Sequence, residues 1–464
     1  MSEKNKLAEK LLYAPKNGYD RLSAEDEKAM EAYCEDYKKF LNNGKTERLC
    51  VEYCIELAEK KGFKAYEAGM KLSAGDKVYF NNRGKGIMLA VIGSEDLSHG
   101  ANIGAAHTDS PRLDLKPRPL YEEAEMAYFK THHYGGIRKY QWVTIPLQLR
   151  GVVAKKDGSV VDVCIGEAGE PQLVITDLLP HLGREQNQKK LPDAITAENL
   201  NVVLGSLPIA DADAENRIKL SILGLLNEMY GITERDFVTA EIEIVPAFKA
   251  RDVGLDRSMI GAYGHDDRVD AYPALMAEIE VQHPAHTTVC ILTDKEEVGS
   301  DGVTGMNSMY AYHFLQQLCA ATGVDSIAAF QASKCLSADV TAAYDPSFSE
   351  AFEPDNGTYA GRGVAIYKYT GAGGKSSTSD ANAELVSYLT RLMNKNGVVW
   401  QIGEMGRLDL GGGGTIAKYV ANRDIDTIDI GVPVLAMHSP FEVVSKADVY
   451  MAYRTFRAFC ADAE

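Results

Sequence analysis

Short apolar runs alternate with longer amphipathic runs from residue 241 to the end of the chain. The apolar runs have the length of strands and cover residues 241–245, 288–292, 334–337, 364–369, 398–402 and 428–434. The runs between them have helical spacing and cover residues 268–281, 304–321, 380–394 and 445–461. Parallel strands need long crossovers, which are usually helices. The sequence therefore predicts an α/β fold with a largely parallel sheet flanked by helices.

The pattern changes between residues 113 and 246, where the stretches become alternating and β-rich. Upstream of this segment, residues 24–62 predict two helices, broken at Asn42, Asn43 and Gly44, and short strands follow. We expect residues 113–246 to form an inserted β-rich domain. The main domain is then discontinuous, with residues 1–112 and 247–464 as its two parts.

The charge of the chain excludes some classes of partner. It carries 49 Lys and Arg residues against 66 Asp and Glu residues, a formal charge of −17. Such a surface repels nucleic-acid phosphates. Apolar runs such as residues 86–93 fall far short of the ~20 residues that cross a bilayer. We expect no nucleic-acid or membrane partner.

The N-terminus is charged and lacks the apolar region of a signal peptide, so we expect a cytoplasmic protein. The eight cysteines include no CxxC pair and lie mostly in apolar segments, which predicts free structural thiols. Any metal site must therefore use other ligands.

Side chains that commonly bind metals follow the predicted strands or precede a predicted helix. In chain order they are His107, Asp266, Glu297, Asp339 and His438. Open α/β sheets bind ligands beyond the carboxyl ends of their strands. We therefore expect these five side chains to converge at one edge of the sheet.

Two imidazoles and three carboxylates suit borderline divalent ions such as Zn²⁺, Co²⁺ or Mn²⁺. One tetrahedral zinc needs three protein ligands, whereas two zincs that share a bridging carboxylate need five. The five candidates predict two divalent ions per chain, with zinc as the first choice. Glu296 is then free to act as a base. Asp109, two residues beyond His107, lies on the same side of an extended chain and can support that imidazole.

Four segments carry most of these side chains: AHTDSPRLDLKP at residues 106–117, DKEEVGS at 294–300, SADV at 337–340 and AMHSPFE at 436–442. Together they resemble the aspartyl aminopeptidase family, which includes vacuolar aminopeptidase I. The resemblance extends over nearly the whole chain. It implies a dinuclear zinc aminopeptidase with a zinc exopeptidase-like α/β domain and an inserted β-rich dimerisation domain. It also implies a homo-oligomer, a dodecamer built from dimers.

The resemblance further implies roles for single residues. His107 and Asp339 would hold one ion, and Glu297 and His438 the other. Asp266 would bridge the two ions, and Glu296 would be the general base. His181 is similar to a family histidine that reaches the active site of a neighbouring subunit; the alternative is a purely structural histidine.

Local departures from the family leave two questions open. Many members have leucine, Asp and Asn where this chain has His265, Asp266 and Asp267, so either Asp could bridge, and we favour Asp266. Substitutions at residues 142–146 and 340–342 leave the substrate preference open. An acidic N-terminal residue would need a cation, which Lys368 or Lys375 could supply unless both are solvated. The glycines at residues 411–414 lack a phosphate-binding motif, so we expect no nucleotide.

The sequence thus predicts a metal-dependent aminopeptidase that uses two metals to activate water and removes N-terminal residues, with Asp or Glu as candidates, from peptides. One alternative is an amidohydrolase or deacylase that acts on small N-acyl amino acids with the same metals. Another is a catalytically silent scaffold of the same fold. Unblocked peptides and N-acylated amino acids separate the first two hypotheses.

Overall fold

A computed structural model of the protein describes residue 7, residues 10–167 and residues 169–463. The α-helices are α1 (Ala24–Asn43), α2 (Glu47–Lys60), α3 (Leu191–Ala194), α4 (Arg217–Tyr230), α5 (His265–Glu280), α6 (Tyr310–Thr322), α7 (Ser326–Ala332), α8 (Ala383–Lys395), α9 (Ala417–Ala421) and α10 (Lys446–Cys460). The strands are β1 (Lys64–Ala65), β2 (Lys77–Asn82), β3 (Gly86–Val91), β4 (Ala101–His107), β5 (Arg112–Glu123), β6 (Met126–Tyr134), β7 (Leu147–Ala154), β8 (Val160–Ile165), β9 (Val174–Ile175), β10 (Val202–Gly205), β11 (Ala240–Pro246), β12 (Arg251–Val253), β13 (Met259–Ala262), β14 (Thr287–Thr293), β15 (Lys334–Ala338), β16 (Thr341–Ala342), β17 (Val364–Tyr367), β18 (Trp400–Ile402), β19 (Asp426–Gly431), β20 (Pro433–Leu435) and β21 (Glu442–Ser445).

The first two helices follow the prediction from the sequence. Ser23 accepts a hydrogen bond from the backbone N–H of Asp26, whose carboxylate accepts one from the backbone of Ser23. This capping box starts α1. The chain breaks after Asn43, and the Thr46 side chain caps α2. Both helices bury apolar faces against the main core.

A nine-stranded sheet forms the centre of the fold, in the order β1-β2-β3-β14-β4-β15-β19-β17-β18. The strands β14, β4, β15 and β19 run parallel to their neighbours within this group. The pairs β2/β3, β3/β14 and β17/β19 are antiparallel, so the sheet is mixed. The predicted α/β class is therefore confirmed, with parallel pairing at the centre of the sheet.

Apolar clusters cover both faces of this sheet. Leu89 packs in one cluster with residues of α1, α5 and α10, while Met88 and Ala90 pack in another with residues of α6 and α7. Neighbouring residues of a strand point to opposite faces, which explains this division. The wholly buried strands β3, β4 and β14 lie between the two clusters.

A second, seven-stranded sheet is antiparallel throughout, in the order β8-β7-β11-β5-β6-β10-β9. All of its strands lie between Arg112 and Pro246. It has an apolar cluster of its own around Phe129, Trp142 and Ile244. The strands lie where the change of sequence pattern predicted them, and the domain boundaries at residues 113 and 246 stay a prediction.

The prediction of one strand at residues 428–434 is wrong. The segment forms β19 in the nine-stranded sheet and β20 in a small third sheet, in the order β12-β13-β21-β20-β16. The backbone N–H of Val432 donates to the Asp270 carboxylate, at 3.2 Å, and Pro433 has no N–H to donate. Both features remove ladder hydrogen bonds, so the chain leaves the first sheet here.

Two further predictions can be compared with the structure. All eight cysteines are free, and all except the partly exposed Cys164 are buried, which confirms the prediction of free thiols. Among the described residues, the structure contains no helix with the length and apolarity that a membrane span requires.

Candidate metal centre

Adjacent parallel strands bring the predicted ligands together. His107 is the last residue of β4, and Asp339 directly follows the neighbouring strand β15. Glu296 and Glu297 lie in a 3₁₀ turn, Glu296–Val298, shortly after β14 on the other side of β4. Because the carboxyl ends of these strands share one edge of the sheet, their side chains meet there.

The other two ligand candidates come from outside this sheet edge. Asp266 lies at the start of α5, where it and Asp267 have non-helical backbone angles and are joined by a cis peptide bond. His438 lies in the loop between β20 and β21, at a backbone φ of 64°. It therefore reaches the site from the third sheet, and not directly from the end of a central strand as the sequence predicted. A left-handed conformation is uncommon for a non-glycine residue.

The carboxylate of Asp266 lies between the two imidazoles. His107 Nε2 is 3.2 Å from one of its oxygens, and His438 Nε2 is 3.1 Å from the other. The Oδ1 atom of Asp339 lies 3.9 Å from His107 Nε2, and Glu297 Oε2 lies 3.5 Å from His438 Nε2.

Ligand atoms within 4.8 Å of one another therefore form two groups. The first contains His107, Asp266 and Asp339, and the second contains Asp266, Glu297 and His438. The two groups share Asp266.

The donor atoms of this cluster fit divalent cations. His107 Nε2, Asp266 Oδ1 and Glu297 Oε1 are buried and have no hydrogen-bond partner of suitable geometry. Buried polar atoms are otherwise almost always paired. A set of imidazole nitrogens and carboxylate oxygens is one that zinc-like ions bind. The unpaired atoms are thus the ones that a cation would satisfy.

Crowded negative charge perturbs the carboxyl groups. Burial raises the pKa of Asp339, and the charge of Glu296 adds to this. Burial also raises the pKa of Glu297, with a further contribution from Asp266. For Glu296, burial together with the charges of Asp109 and Asp266 raises the pKa to about 7, against the opposing effect of His107. Divalent cations would offset this excess of negative charge.

The imidazoles and Asp266 stabilise each other's charged forms. Burial alone would raise the pKa of Asp266, but His107 and His438 lower it. Burial alone would lower the pKa of His438, but the hydrogen bond with Asp266 and the charge of Glu297 raise it to about 11. These contacts hold the side chains in place from opposite sides of the bridging carboxylate.

Asp109 supports three of the site residues. Its carboxylate accepts hydrogen bonds from the backbone N–H groups of Glu296, at 3.2 Å, and Glu297, at 3.3 Å. It also lies 3.2 Å from His107 Nδ1 and accepts a hydrogen bond from the Tyr134 hydroxyl at 2.8 Å. The structure thus places Asp109 beside the His107 imidazole, as their spacing in the sequence suggested. Asp109 contacts Nδ1 of the ring, so Nε2 faces the other ligand atoms.

Sequence reasoning missed Glu442. Its two carboxylate oxygens accept hydrogen bonds from the backbone N–H groups of Asp266, at 3.1 Å, and His438, at 2.7 Å. It is 1% exposed, so it fixes both segments from beneath the site. The signal in the sequence was its position four residues after His438 in the AMHSPFE segment. Asp267, which the sequence left as an alternative bridge, belongs to neither group and accepts the backbone N–H of His107 at 3.2 Å.

Two glycines after β6 contact the second group. The backbone oxygen of Gly136 lies 2.8 Å from His438 Nδ1. At Gly135, whose φ is +71°, an added Cβ would lie 3.3 Å from Glu297 Oε2. A side chain at Gly135 would therefore crowd a ligand carboxylate.

The cluster opens into a cavity of about 310 Å³, which we call the metal cavity. Its wall includes Tyr367, Asp429 and the glycines at residues 412–414, so the glycine run borders the site. A second cavity, of about 460 Å³, adjoins it, and we call this the side cavity. The two share Tyr367, Thr370, Met405 and Gly412 as lining residues.

Three predicted site residues are not part of the cluster. His181 is exposed on the loop after β9 and lines a separate cavity of about 620 Å³. Lys375 lines the side cavity, but its Nζ atom lies 2.9 Å from Asp380 Oδ2. Lys368 is exposed and lines neither the metal cavity nor the side cavity.

Comparison with known proteins gives consistent matches over almost the whole chain. The profile of the aminopeptidase I zinc metalloprotease (M18) family matches residues 40–460. A probable M18 family aminopeptidase 1 of Clostridium acetobutylicum is 46% identical over 458 residues, which cover 97% of this chain and 98% of the relative. One from Borreliella afzelii is 44% identical over 96% of this chain and 98% of the relative.

Solved structures agree with these matches. An M18 aminopeptidase of Thermotoga maritima has a TM-score of 0.93 and 41% identity, over 97% of this chain and 100% of that structure. The structure of the mApe1 dodecamer of Saccharomyces cerevisiae has a TM-score of 0.76 and 19% identity, over 93% of this chain and 97% of that one. The second match shows a shared fold alone.

Proposed function

Because the chain belongs to the aminopeptidase I zinc metalloprotease (M18) family, we propose that it removes N-terminal residues from peptides with two divalent ions. Membership confirms the resemblance seen in the sequence and makes the protein a metallo-aminopeptidase. One observation carries the two-ion proposal: Asp266 is shared by two groups of ligand atoms. Zinc is the first choice of metal, and Co²⁺ and Mn²⁺ fit the same donor set.

Each ion would have three protein ligands and an open position, as catalytic zinc sites do. His107 and Asp339 would hold the first ion, and Glu297 and His438 would hold the second. Asp266, which belongs to both groups, would serve both ions, while Asp267 instead supports the backbone at His107. When bound, the ions would polarise the scissile carbonyl group and lower the pKa of a water molecule.

Glu296 acts as the general base. It lines the metal cavity and belongs to neither ligand group, with Oε2 at 4.0 Å from His107 Nε2. Its carboxylate accepts a proton from the attacking water and passes it to the leaving nitrogen, as a new C–O bond forms and the C–N bond breaks. Asp109 is a positioning residue, because it holds the backbone of Glu296.

The charge of the metal cavity favours a free N-terminus. Among the described residues that line it, five are Asp or Glu and none is Lys or Arg. Two divalent ions offset four of these negative charges, so a peptide ammonium group fits better than an uncharged N-acyl group. This supports an aminopeptidase over a deacylase. Neither Lys375, which is paired with Asp380, nor Lys368 supports a preference for acidic residues.

The remaining proposals concern assembly. Residues 113–246 would be a dimerisation domain inserted between the two parts of the catalytic domain, residues 1–112 and 247–464. Apolar side chains exposed on α4 of this region, Leu225 and Met229, support a contact with another subunit. His181 would enter the site of that subunit, and the yeast relative, whose structure is a dodecamer, supports dimers that assemble further. The cytoplasmic location stays a prediction.

Kinetics with defined metal content test this function. Metal-free protein is titrated with Zn²⁺, Co²⁺ or Mn²⁺ and assayed on unblocked peptides and on the same peptides with acetylated N-termini. We expect release of the N-terminal residue, rising up to about two equivalents of metal, and no reaction of the acetylated peptides. Hydrolysis of N-acyl amino acids alone would indicate a deacylase. No hydrolysis by fully loaded protein would indicate a silent scaffold.

A further inference from the structure

We propose that the side cavity selects a basic N-terminal residue, Lys or Arg, through the carboxylate of Glu404. The proposal rests on the aminopeptidase function above and names its substrate class. The side cavity continues from the metal cavity, since four residues line both. The side chain of a residue whose ammonium group lies at the metal centre can therefore extend into it.

Two charged residues line the side cavity, and only one of them is neutralised. Lys375 Nζ lies 2.9 Å from Asp380 Oδ2 and 3.7 Å from the centre of the Tyr369 ring. Glu404 accepts a hydrogen bond from the Tyr369 hydroxyl at 2.5 Å, which orients its carboxylate. Within the described parts of the chain, no Lys, Arg or His side chain forms an ion pair with Glu404. The wall of the cavity therefore presents one uncompensated negative charge.

The apolar part of the wall suits a long basic side chain. Tyr367, Met405 and Leu408 line the same cavity and can contact the methylene groups of Lys or Arg. Such side chains bury their stems along apolar surface and place the charged group at a polar partner. The partly buried carboxylate of Glu404 is that partner.

An acidic side chain would meet the opposite conditions. It would face the Glu404 carboxylate, and the Lys375 ammonium group on the same wall is already paired with Asp380. Like charges in a partly buried cavity repel each other more strongly than in water. The structure therefore favours basic residues over the acidic residues that the sequence suggested.

Citrulline, a neutral isostere of arginine, gives a sharp test. The metal-loaded, full-length protein is assayed on the 7-amido-4-methylcoumarin derivatives of arginine, citrulline and glutamate. A hydrogen-bonded charge pair corresponds to a preference of about 10- to 100-fold in kcat/KM for arginine over citrulline. In Glu404→Gln we expect this ratio to fall to about one. The matched control is Glu384→Gln, because Glu384 is an exposed carboxylate on α8 outside both cavities.

A second variant removes the other charge of the cavity. Lys375→Met leaves Asp380 without its partner, so we expect the arginine to citrulline ratio to stay at or above the wild-type value. A fall in that ratio in Lys375→Met overturns the proposal. An unchanged ratio in Glu404→Gln overturns it as well, and so does a wild-type protein that hydrolyses the glutamate derivative fastest. If the arginine and citrulline derivatives are hydrolysed at equal rates, the aminopeptidase function stands and only the proposed preference for basic residues fails. If none of the three is hydrolysed while other unblocked peptides are, this proposal alone fails; if no unblocked peptide is hydrolysed, the aminopeptidase proposal fails as well.

Discussion

His107 and Asp109 contact each other twice, because the Nδ1 atom of the imidazole lies 3.0 Å from the backbone oxygen and 3.2 Å from the carboxylate of Asp109. One ring nitrogen is thereby occupied, and Nε2 is directed at the ligand cluster. Since the same carboxylate also accepts the backbone N–H groups of Glu296 and Glu297, it links a ligand of the first ion to a ligand of the second and to the base.

We expect Asp109→Asn to weaken metal binding and turnover together, each by about 10- to 100-fold, as loss of a carboxylate behind a ligating histidine usually does. Competition with a chelator measures the affinity, and steady-state kinetics measure kcat. Asp96→Asn is the matched control, because Asp96 caps a short helical turn on the surface. Wild-type affinity in Asp109→Asn would leave this carboxylate with a structural role only.

Glu296→Gln should lower kcat by about 10²- to 10⁴-fold, because it removes a proton acceptor. Both ions should stay bound, since Glu296 belongs to neither ligand group. Elemental analysis of the purified variant counts them. Loss of one equivalent would instead make Glu296 a ligand.

Asp266→Asn and Asp267→Asn form a matched pair. The first should lose metal from both positions, because its carboxylate serves both groups, whereas the second should keep most of its metal. Titration of the two metal-free variants with Zn²⁺ compares their binding. The reverse order would assign the bridge to Asp267.

Subunit mixing tests whether His181 acts across an interface. His181→Ala should lower kcat without changing metal content or oligomer mass, because the residue lies outside the ligand groups of its own chain. Mixing it with Glu296→Gln subunits should restore part of the activity, since one composite site in a mixed dimer is intact. If verified subunit exchange restores nothing, His181 has no role in a neighbouring site.

Glu278 makes the fold less stable at high pH. It is 1% exposed, and burial raises its pKa to about 8, against the opposing effect of the hydrogen bond from Thr288. The folded state therefore binds a proton that the unfolded state releases near its ordinary pKa, so stability falls between about pH 4.5 and pH 8.

We expect Glu278→Gln to remove the contribution of this group to the pH dependence. Above pH 8, the free energy of unfolding should rise by about 1.4 kcal/mol for each unit by which the pKa of Glu278 differs between the folded and unfolded states. Thermal unfolding at pH 5 and pH 9 measures the difference. Glu384→Gln serves as the exposed control. A variant that is equally destabilised at both pH values would show that the carboxyl group does not ionise in the folded protein.

The convergence of ligand side chains at the ends of the central strands could be predicted, because two local sequence signals coincide there. Strand β4 and strand β14 are apolar runs followed directly by ligand-type residues, and parallel pairing then sets their side chains next to each other. The break between β19 and β20 was not predictable from hydropathy. It depends in part on Asp270, a residue distant in sequence, which takes the N–H of Val432. The local signal was Pro433, which cannot donate a ladder hydrogen bond.

The roles of Glu442 and Glu404 could not be predicted from the sequence. Glu442 contacts Asp266 across 176 residues of chain, and an isolated glutamate carries no periodic signal of such a contact. Glu404 is the uncompensated charge of the side cavity because Lys375 is paired with Asp380. Both depend on tertiary neighbours and on the burial they create.

The contact of Gly136 with His438 has a consequence for how the protein acquires its metals. Gly136 follows Tyr134, the last residue of β6 in the seven-stranded sheet, and Tyr134 itself donates to Asp109 behind His107. Asp266, which both ligand groups share, is held by Glu442 of the third sheet. Neither metal position is therefore complete until all three sheets have come together, so metal occupancy would report the finished fold of a new chain.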